Sequence, residues 1–309
     1  MELIIPPVNR QLLIKELTPE RFIRKTNYGN NEIYVITHHD SPNLMKEIGR
    51  LRELSFREAG GGTGKSIDID DFDISDNPYQ QLLVWDPSHQ EILGGYRYFD
   101  CTRMKVDSKS HLHLATTELF NFSDQFMSEY FPYMVELGRS FVQPEYQASK
   151  IGRKGLFALD NLWDGLAAIV KHTPNLKYFF GKVTMYTHYN QRARDFLLYF
   201  MHKNFPDVDK LVVPIHPLKL ETSEIELQTI MSKATYAENY KLLNQKVREL
   251  NENIPPLINS YMNLSPTMKM FGTSVNHEFG GVEETGILVK IDDIYESKKH
   301  RHITSYQPE

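Results

Sequence analysis

Hydrophobic and polar positions follow two periods along the chain. Runs rich in β-branched and aromatic residues, with alternation in several of them, predict strands. These runs cover residues 33–37, 79–84, 91–99, 134–143, 178–185, 273–275 and 286–291. Apolar residues at helical spacing predict helices, over residues 42–59, 123–130, 154–172, 191–203 and 221–252. In the 154–172 helix we expect Leu159, Leu162, Trp163, Leu166, Ile169 and Val170 to form one buried stripe.

This order of strands and helices predicts an α/β (α+β) protein with a mixed central sheet flanked by helices. We expect a 1–31 N-terminal extension, a single domain over 32–296 and a polar, frayed tail over 297–309. The helical stretch 221–252 interrupts the core pattern, so we interpret it as an insertion that covers the core.

The strand at 134–143 is the centre of the pattern. Val135, Leu137 and Phe141 lie on one side of it in an extended chain, and Glu136 lies on the other. Pro144, which cannot donate a ladder hydrogen bond, ends the strand. A basic, glycine-containing loop and then a helix follow, an arrangement typical of phosphate binding. The candidate residues of that loop are Lys150, Gly152, Arg153 and Gly155.

Composition narrows the class of protein. A chain of 309 residues with 40% hydrophobic residues can bury a large core, and a net charge of −5 argues against a nucleic-acid partner. Cys101 is the only cysteine, which excludes an internal disulfide and fits a reducing compartment. The sequence shows neither a signal peptide nor a transmembrane segment. We therefore expect a cytoplasmic protein that can contact the inner membrane peripherally.

Two motifs suggest other chemistry. Residues 59–66 match a relaxed P-loop, but a helix precedes the glycines and an acidic run follows them, so a flexible loop is the better interpretation. The acidic run at 68–76 lacks the glycine and glutamate that an EF-hand requires. It is either a solvated loop or a segment in which one or two aspartates bind a cationic amine or orient Arg97 or Arg139.

Histidine pairs and serine motifs give no second site. His111 and His113, and likewise His300 and His302, have same-face spacing but no third ligand nearby. We interpret them as surface residues and predict no metal. A nucleophile elbow is absent from the sequence, which argues against a serine hydrolase.

Glu136 and Arg139 remain as candidate catalytic residues on the central strand. A structural salt bridge is the plain alternative. Arg52 and Arg97 lie in segments predicted to join the same sheet and its first helix. Buried networks of carboxylates and arginines concentrate at functional sites.

At these residues the sequence resembles a known family. It is similar to GNAT-fold aminolipid N-acyltransferases, the "hemolysin-like" enzymes that acylate ornithine or glycine, which are relatives of the acyl-homoserine-lactone synthases. The resemblance covers residues 33–215 and 254–294. It rests on these ordered segments: 51–56 (LRELSF), 70–73 (DDFD), 82–86 (LLVWD), 94–97 (GGYR), 136–144 (ELGRSFVQP), 162–166 (LWDGL), 255–261 (PPLINSY) and 276–279 (NHEF).

The resemblance implies a set of site residues. It assigns Glu136 and Arg139 to catalysis. The substrate-binding candidates are Arg52, Phe56, Asp70, Asp73, Arg97, His277 and Phe279. Glycines replace the aromatic residue expected soon after Phe56, which argues against homoserine-lactone chemistry.

The reaction implied is transfer of a fatty or 3-hydroxy fatty acyl group to the α-amine of a small amino acid, glycine or ornithine. The donor would be acyl carrier protein or acyl-CoA, with no permanently bound cofactor. Glu136 would be the general base. Backbone N–H groups near Phe141 and Val142 would stabilise the oxyanion. Arg97 or Arg139 would bind the acceptor carboxylate. A product with one acyl chain implies transient membrane contact.

Other functions stay open at this stage. An acetyl-CoA-dependent N-acetyltransferase or a homoserine-lactone-type synthase would share the fold and differ in donor chain length or acceptor. A nucleotide-binding or membrane-active protein would not need Glu136.

Overall fold

The computed structural model describes residues 1–104, 114–147 and 157–306. The chain forms two compact units. The first comprises residues 1–115, 132–176 and 296–309, and the second comprises residues 116–131 and 177–295. The predicted domain boundaries stay predictions.

The described part of the chain contains the following strands: β1 Phe22–Lys25, β2 Glu32–Ile36, β3 Gln80–Asp86, β4 Glu91–Asp100, β5 Phe120–Phe122, β6 Met134–Val142, β7 Tyr178–Met185, β8 Val212–Pro214, β9 Lys269–Asn276 and β10 Val282–Lys290.

Its helices are α1 Arg10–Glu16, α2 Pro42–Glu58, α3 Asp71–Ile74, α4 Asp124–Glu129, α5 Ala158–His172, α6 Gln191–Asn204, α7 Glu224–Ile230, α8 Tyr236–Glu249, α9 Pro256–Met262 and α10 Glu296–Lys299.

In the first unit the strands pair antiparallel in the order β1-β2-β3-β4-β6. Helix α2 buries Leu44, Ile48 and Leu51, an apolar face at helical spacing. Pro42 begins this helix, where the missing N–H costs nothing. The strands and the long helix predicted here are confirmed. Strand β1 lies inside the predicted N-terminal extension and pairs with β2.

In the second unit β10 pairs antiparallel with both β7 and β9, and β5 pairs with β8. An aromatic cluster of Phe126, Phe180 and Phe271 fills the space beside these strands, with ring centroids 5.4 to 6.1 Å apart. Helices α7 and α8 confirm the helical prediction for 221–252. The Tyr236 ring packs against Phe200 of α6 at 5.2 Å, so α8 covers core residues. Strand β5 lies outside the predicted strands, directly before the predicted helix at 123–130.

The buried face of α5 differs from the predicted stripe. Leu159 is 42% exposed, whereas Asn161, Asp164 and Gly165 are buried. A Cβ at Gly165 would lie 2.6 Å from a Leu82 methyl carbon and 2.8 Å from the Tyr96 hydroxyl. The helix therefore approaches β3 and β4 through its glycine. This rotation brings its polar residues inward.

The tail that was predicted to be frayed is helical over residues 296–304. The prediction of surface histidines is wrong for His302. A π-helical turn over His300–Thr304 buries His302, whose Nδ1 lies 2.9 Å from Asp164 Oδ1. The backbone N–H of Asn27 donates to the other oxygen of Asp164 at 2.8 Å. This carboxylate fastens the tail to the first unit, a contact that periodicity cannot show. His300 is exposed, and His111 and His113 lie outside the described residues.

Candidate active site

A buried network of arginines and aspartates lies in the first unit. Arg52 on α2 is its centre, with no exposed surface. Its Nε lies 3.1 Å from Asp68, and its Nη2 lies 3.2 Å from Asp73. Both aspartates are also fully buried. Since every charge here has an opposite partner, the network can exist away from water.

Arg97 on β4 extends the network. Its Nη1 lies 2.6 Å from Asp70 and 3.2 Å from Asp73. The guanidinium carbon stands 5.5 Å from the Phe72 ring centre and 5.0 Å from that of Tyr79, so two aromatic faces hold the cation. The Nε of Arg97 has no hydrogen-bond partner among the described residues, although the side chain is buried.

Arg139 enters the network from a bulge in β6. Gly95 pairs with Phe141 but Arg97 pairs with Gly138, so two residues of β6 stand opposite Tyr96 alone. Arg139 has a φ of 51°, which L-residues adopt rarely. In this conformation its Nε reaches Asp68 at 3.0 Å and its Nη2 lies 3.6 Å from Asp70.

Strand β4 must approach β6 closely beside the bulge, at Gly94. A Cβ on Gly94 would lie only 2.5 Å from the carbonyl oxygen of Phe141. A side chain at this position would push the strands apart. Gly94 therefore permits the close approach of β4 to β6 beside the bulge, and Gly95 permits the approach of β4 to β3, where a Cβ would clash with the carbonyl oxygen of Leu82.

Short-range sequence features place the three aspartates. Asp70 and Asp73 form a reciprocal capping box on α3. Before this helix, Ile67 and Ile69 pack at Gly49 of α2, where a Cβ would lie 2.8 and 2.7 Å from their side chains. Because side chains alternate in an extended segment, Asp68 points the other way, toward the arginines.

The arginines of the network stabilise the ionised form of its buried aspartates. Burial by itself raises the pKa of the Asp73 carboxyl, but Arg52 and Arg97 outweigh burial and bring that pKa below its usual value. At Asp68 burial is likewise outweighed, by Arg139 and Arg52, and the pKa is lowered. The pKa of Arg139 is lowered by burial, which the nearby carboxylates do not fully offset. Among the three arginines, Arg139 is the one whose pKa is lowered, whereas the pKa values of Arg52 and Arg97 are raised.

Glu136 lies on β6 two residues before Gly138 and is 1% exposed. The hydroxyl of Tyr79 donates a hydrogen bond to its Oε2. The backbone N–H of Ala115 in turn donates to the Tyr79 hydroxyl oxygen at 2.9 Å. Tyr79 therefore contacts both the candidate base, Glu136, and the guanidinium of Arg97.

The structure brings together most of the residues predicted for catalysis and substrate binding. Arg52, Asp70, Asp73, Arg97 and Arg139 form one ionic cluster, with the Glu136–Tyr79 pair beside it. Phe56 is buried on α2. Their roles in substrate binding stay predictions.

Other predicted residues lie elsewhere. Phe141 is buried and Val142 half-buried at the end of β6, just after the bulge. Lys150, Gly152, Arg153 and Gly155 fall outside the described residues. His277 and Phe279 belong to the second unit, in a short 3-10 turn, where His277 is exposed and Phe279 buried.

Three network residues were missing from the predicted site: Asp68, Tyr79 and Gln81. Gln81 donates its amide N–H to Asp73 at 2.9 Å. The isoleucine–aspartate alternation at 67–70 was the one readable signal, since it places Asp68 opposite two apolar residues. Tyr79 and Gln81 read as ordinary residues at the start of a strand.

The P-loop-like segment surrounds a carboxylate of the protein itself. Buried Glu53 accepts hydrogen bonds from the Thr63 N–H at 3.0 Å, the Thr63 hydroxyl at 2.8 Å and the Gly64 N–H at 2.8 Å. Backbone donors that a P-loop would offer to phosphate are thus used by Glu53. The loop has a structural role.

The chain is similar to known proteins over most of its length. Residues 51–153 match the model of an acetyltransferase (GNAT) domain. The chain is 58% identical over 99% of its length to a glycine N(alpha)-acyltransferase of Bacteroides thetaiotaomicron, covering 91% of that protein. It is 56% identical, again over 99% of its length, to a glycine N(alpha)-acyltransferase of Phocaeicola vulgatus, covering 94% of that protein.

Among solved structures, the chain is similar to the AHL synthase LasI, with a TM-score of 0.43 and 11% identity over 90% of this chain and 98% of that one. The two relatives, which align over 99% of the chain, and the domain match establish its family. The chain belongs to the GNAT-domain N-acyltransferase family that contains the two glycine N(alpha)-acyltransferases.

Proposed function

We propose that this N-acyltransferase moves a long acyl group from the phosphopantetheine thioester of an acyl carrier protein to the α-amine of glycine. The product would be an N-acyl glycine, a lyso-aminolipid. One observation carries the choice of glycine: relatives bearing that activity in their names align over 99% of the chain. The acceptor site we assign to the Arg139 end of the ionic network.

Exposure within the network supports this assignment. Arg52 has both aspartates as partners and no exposed surface, so it acts as the scaffold. The side chains of Asp70 and Arg139 are 29% and 14% exposed, and their closest charged atoms are 3.6 Å apart. A guanidinium binds a carboxylate in two parallel hydrogen bonds. Arg139 would hold the carboxylate of glycine, with Asp70 near its ammonium group.

Glu136 would accept the proton that the ammonium group must lose before attack. The neutral amine then adds to the thioester carbonyl, which forms the C–N bond and a tetrahedral oxyanion. When this intermediate collapses, the C–S bond breaks and the leaving thiolate takes the second proton of the attacking nitrogen, so the carrier departs as a thiol. Backbone N–H groups near the β6 bulge, at Phe141 and Val142, would stabilise the oxyanion. None of these steps requires a metal.

The donor and the location follow from the same chemistry. The basic loop at 150–155 would bind the acidic surface of an acyl carrier protein, with acyl-CoA as the alternative donor. Among the described residues no helix has the length and apolar character to cross a bilayer. We propose a cytoplasmic enzyme that touches the inner membrane when it releases its lipid product.

The direct test uses purified protein and mass spectrometry. Glycine, serine and ornithine would be offered with palmitoyl carrier protein, palmitoyl-CoA and acetyl-CoA. We expect N-palmitoyl glycine, formed faster from the carrier protein than from CoA. Product from acetyl-CoA alone would indicate a short-chain acetyltransferase. Acylation of ornithine in preference to glycine would overturn the proposed acceptor.

A further inference from the structure

Tyr79 is held in one position by three neighbours. It precedes β3 and is 1% exposed. Its ring centre lies 5.7 Å from that of Phe72, 5.0 Å from that of Phe99 and 5.0 Å from the Arg97 guanidinium. A ring packed on these sides has little rotational freedom. Its hydroxyl is therefore a fixed group.

The direction of the Tyr79 hydrogen bond is also fixed. The Ala115 N–H donates to the hydroxyl oxygen at 2.9 Å, which uses one lone pair. A tyrosine hydroxyl has a single proton to donate. That proton points to Oε2 of Glu136. The carboxylate thus has one oxygen held by a neutral donor inside the protein.

The charged and titratable groups around this pair set its behaviour with pH. Arg97 faces it from β4, and Cys101, whose own charged neighbours are Glu136 and Asp100, faces it from the end of that strand. Burial, together with the Glu136 charge, raises the pKa of both the Tyr79 hydroxyl and the Cys101 thiol well above their usual values. Tyr79 consequently remains a donor throughout the neutral range.

We infer that Tyr79 is a positioning residue for Glu136 in the acyl transfer. Its hydroxyl holds Oε2 and stabilises the ionised carboxylate, so that Oε1 is oriented to take the proton from the acceptor ammonium. This inference rests on the proposed function, in which Glu136 is the base. A hydrogen bond to the charged form of a group favours that form, so its loss makes the group harder to ionise.

The test compares Tyr79→Phe with wild type, Glu136→Gln and a matched control, Tyr98→Phe. Tyr98 is the neighbouring buried tyrosine, one residue from Arg97 on β4 and therefore on the opposite face of the sheet. The readout is kcat/KM for glycine against pH, with thermal unfolding of each variant. For Tyr79→Phe we expect a loss of about 10- to 100-fold at neutral pH. The acidic limb of the profile should move about one unit upward.

The outcomes separate the inference from the proposed function. An unshifted acidic limb in a folded Tyr79→Phe protein overturns the role of Tyr79. Wild-type activity in Glu136→Gln overturns the proposed base and, with it, this inference. If Tyr79→Phe does not fold, fluorotyrosine at position 79 keeps the shape and strengthens the donor. We then expect the acidic limb to move downward, and an unchanged limb overturns the inference.

Discussion

Each unit of the molecule contains an arginine–carboxylate cluster, and the two clusters differ in what else their carboxylates bind. In the second unit, Arg194 contacts Asp195 at 2.8 Å and Glu283 at 2.6 Å. The other oxygen of Asp195 accepts the backbone N–H groups of Glu221 and Thr222 at 2.9 and 2.7 Å. That cluster ties a connecting segment to α6.

In the first unit the central carboxylate, Asp73, accepts hydrogen bonds from the nearby Gln81 amide and Asp70 N–H, and the edge of the cluster at Asp70 is more exposed than any side chain of the Arg194 cluster. Arg52, Asp68 and Asp73 are fully buried, whereas Arg139 and Asp70 retain exposed surface. Arg139 also occupies a strained backbone conformation, which proteins retain mainly where function needs it. The comparison teaches that burial and pairing alone do not identify an active site. The greater exposure of Asp70 and the backbone strain at Arg139 are the two features that distinguish the candidate site from the second cluster.

The largest expected effect belongs to Glu136→Gln. Glutamine keeps the size of the side chain but cannot accept the amine proton. We expect kcat to fall about 10²- to 10⁴-fold, the usual contribution of a general base. Steady-state kinetics with glycine measure this, and thermal unfolding provides the folding control. A variant with wild-type kcat would remove the base from the proposed mechanism.

Asp73→Asn should cost most stability, because it removes one of the two carboxylates that neutralise each of Arg52 and Arg97, leaving Asp68 for the first and Asp70 for the second. Losing one partner of a buried ion pair costs about 3–5 kcal/mol of unfolding free energy. Urea unfolding at neutral pH measures this cost. A change within experimental error would show that the network does not support the fold.

The same substitution changes the response to acid. Because the pKa values of Asp68 and Asp73 are lowered in the folded state, their stabilisation is complete above their unfolded value of about 3.9 and is lost as pH falls below it. Wild type should lose stability steeply below about pH 4. Asp73→Asn should show a shallower decline over that range.

Arg139→Lys tests the accessible edge. Lysine keeps the charge but not the two parallel hydrogen bonds, so we expect KM for glycine to rise about tenfold with a smaller change in kcat. The matched control is Arg194→Lys in the second cluster, which should leave KM unchanged. Equal effects of the two substitutions would contradict the assignment of the acceptor site.

The smallest effect on activity is expected for Asp195→Asn. The variant weakens the tether of residues 221–222, and unfolding free energy should fall by about 1–3 kcal/mol. Its kcat and KM should stay close to wild type. A large loss of activity without a loss of stability would mean that the second cluster also takes part in the reaction.

The sequence predicted the elements well where residues are locally periodic. Strands β2, β3, β4 and β7 and helix α2 follow from alternation, β-branched content or an apolar helical face, which are properties of neighbouring residues. Helix α5 was placed correctly but rotated wrongly. Its buried face depends on the contact of Gly165 with Leu82, which joins residues far apart in the chain.

The site was predictable in its charged residues and not in their arrangement. Glu136 and Arg139 stand out on an otherwise apolar strand, and resemblance added Asp70 and Asp73. The positive φ of Arg139 was not predictable, because non-glycine residues rarely adopt it. The partnership of Tyr79 with Glu136 joins residues 57 positions apart, so no local pattern reports it.

We propose that the ionic network of the first unit binds the amino acid and that Glu136 takes the proton from its amine before acylation. Mass spectrometry of lipids from cells expressing wild type, Glu136→Gln or Asp195→Asn tests it most directly. The account predicts a new N-acyl glycine with wild type and Asp195→Asn, and almost none with Glu136→Gln. Equal amounts from wild type and Glu136→Gln, or no acylated amino acid with any of the three, would contradict it.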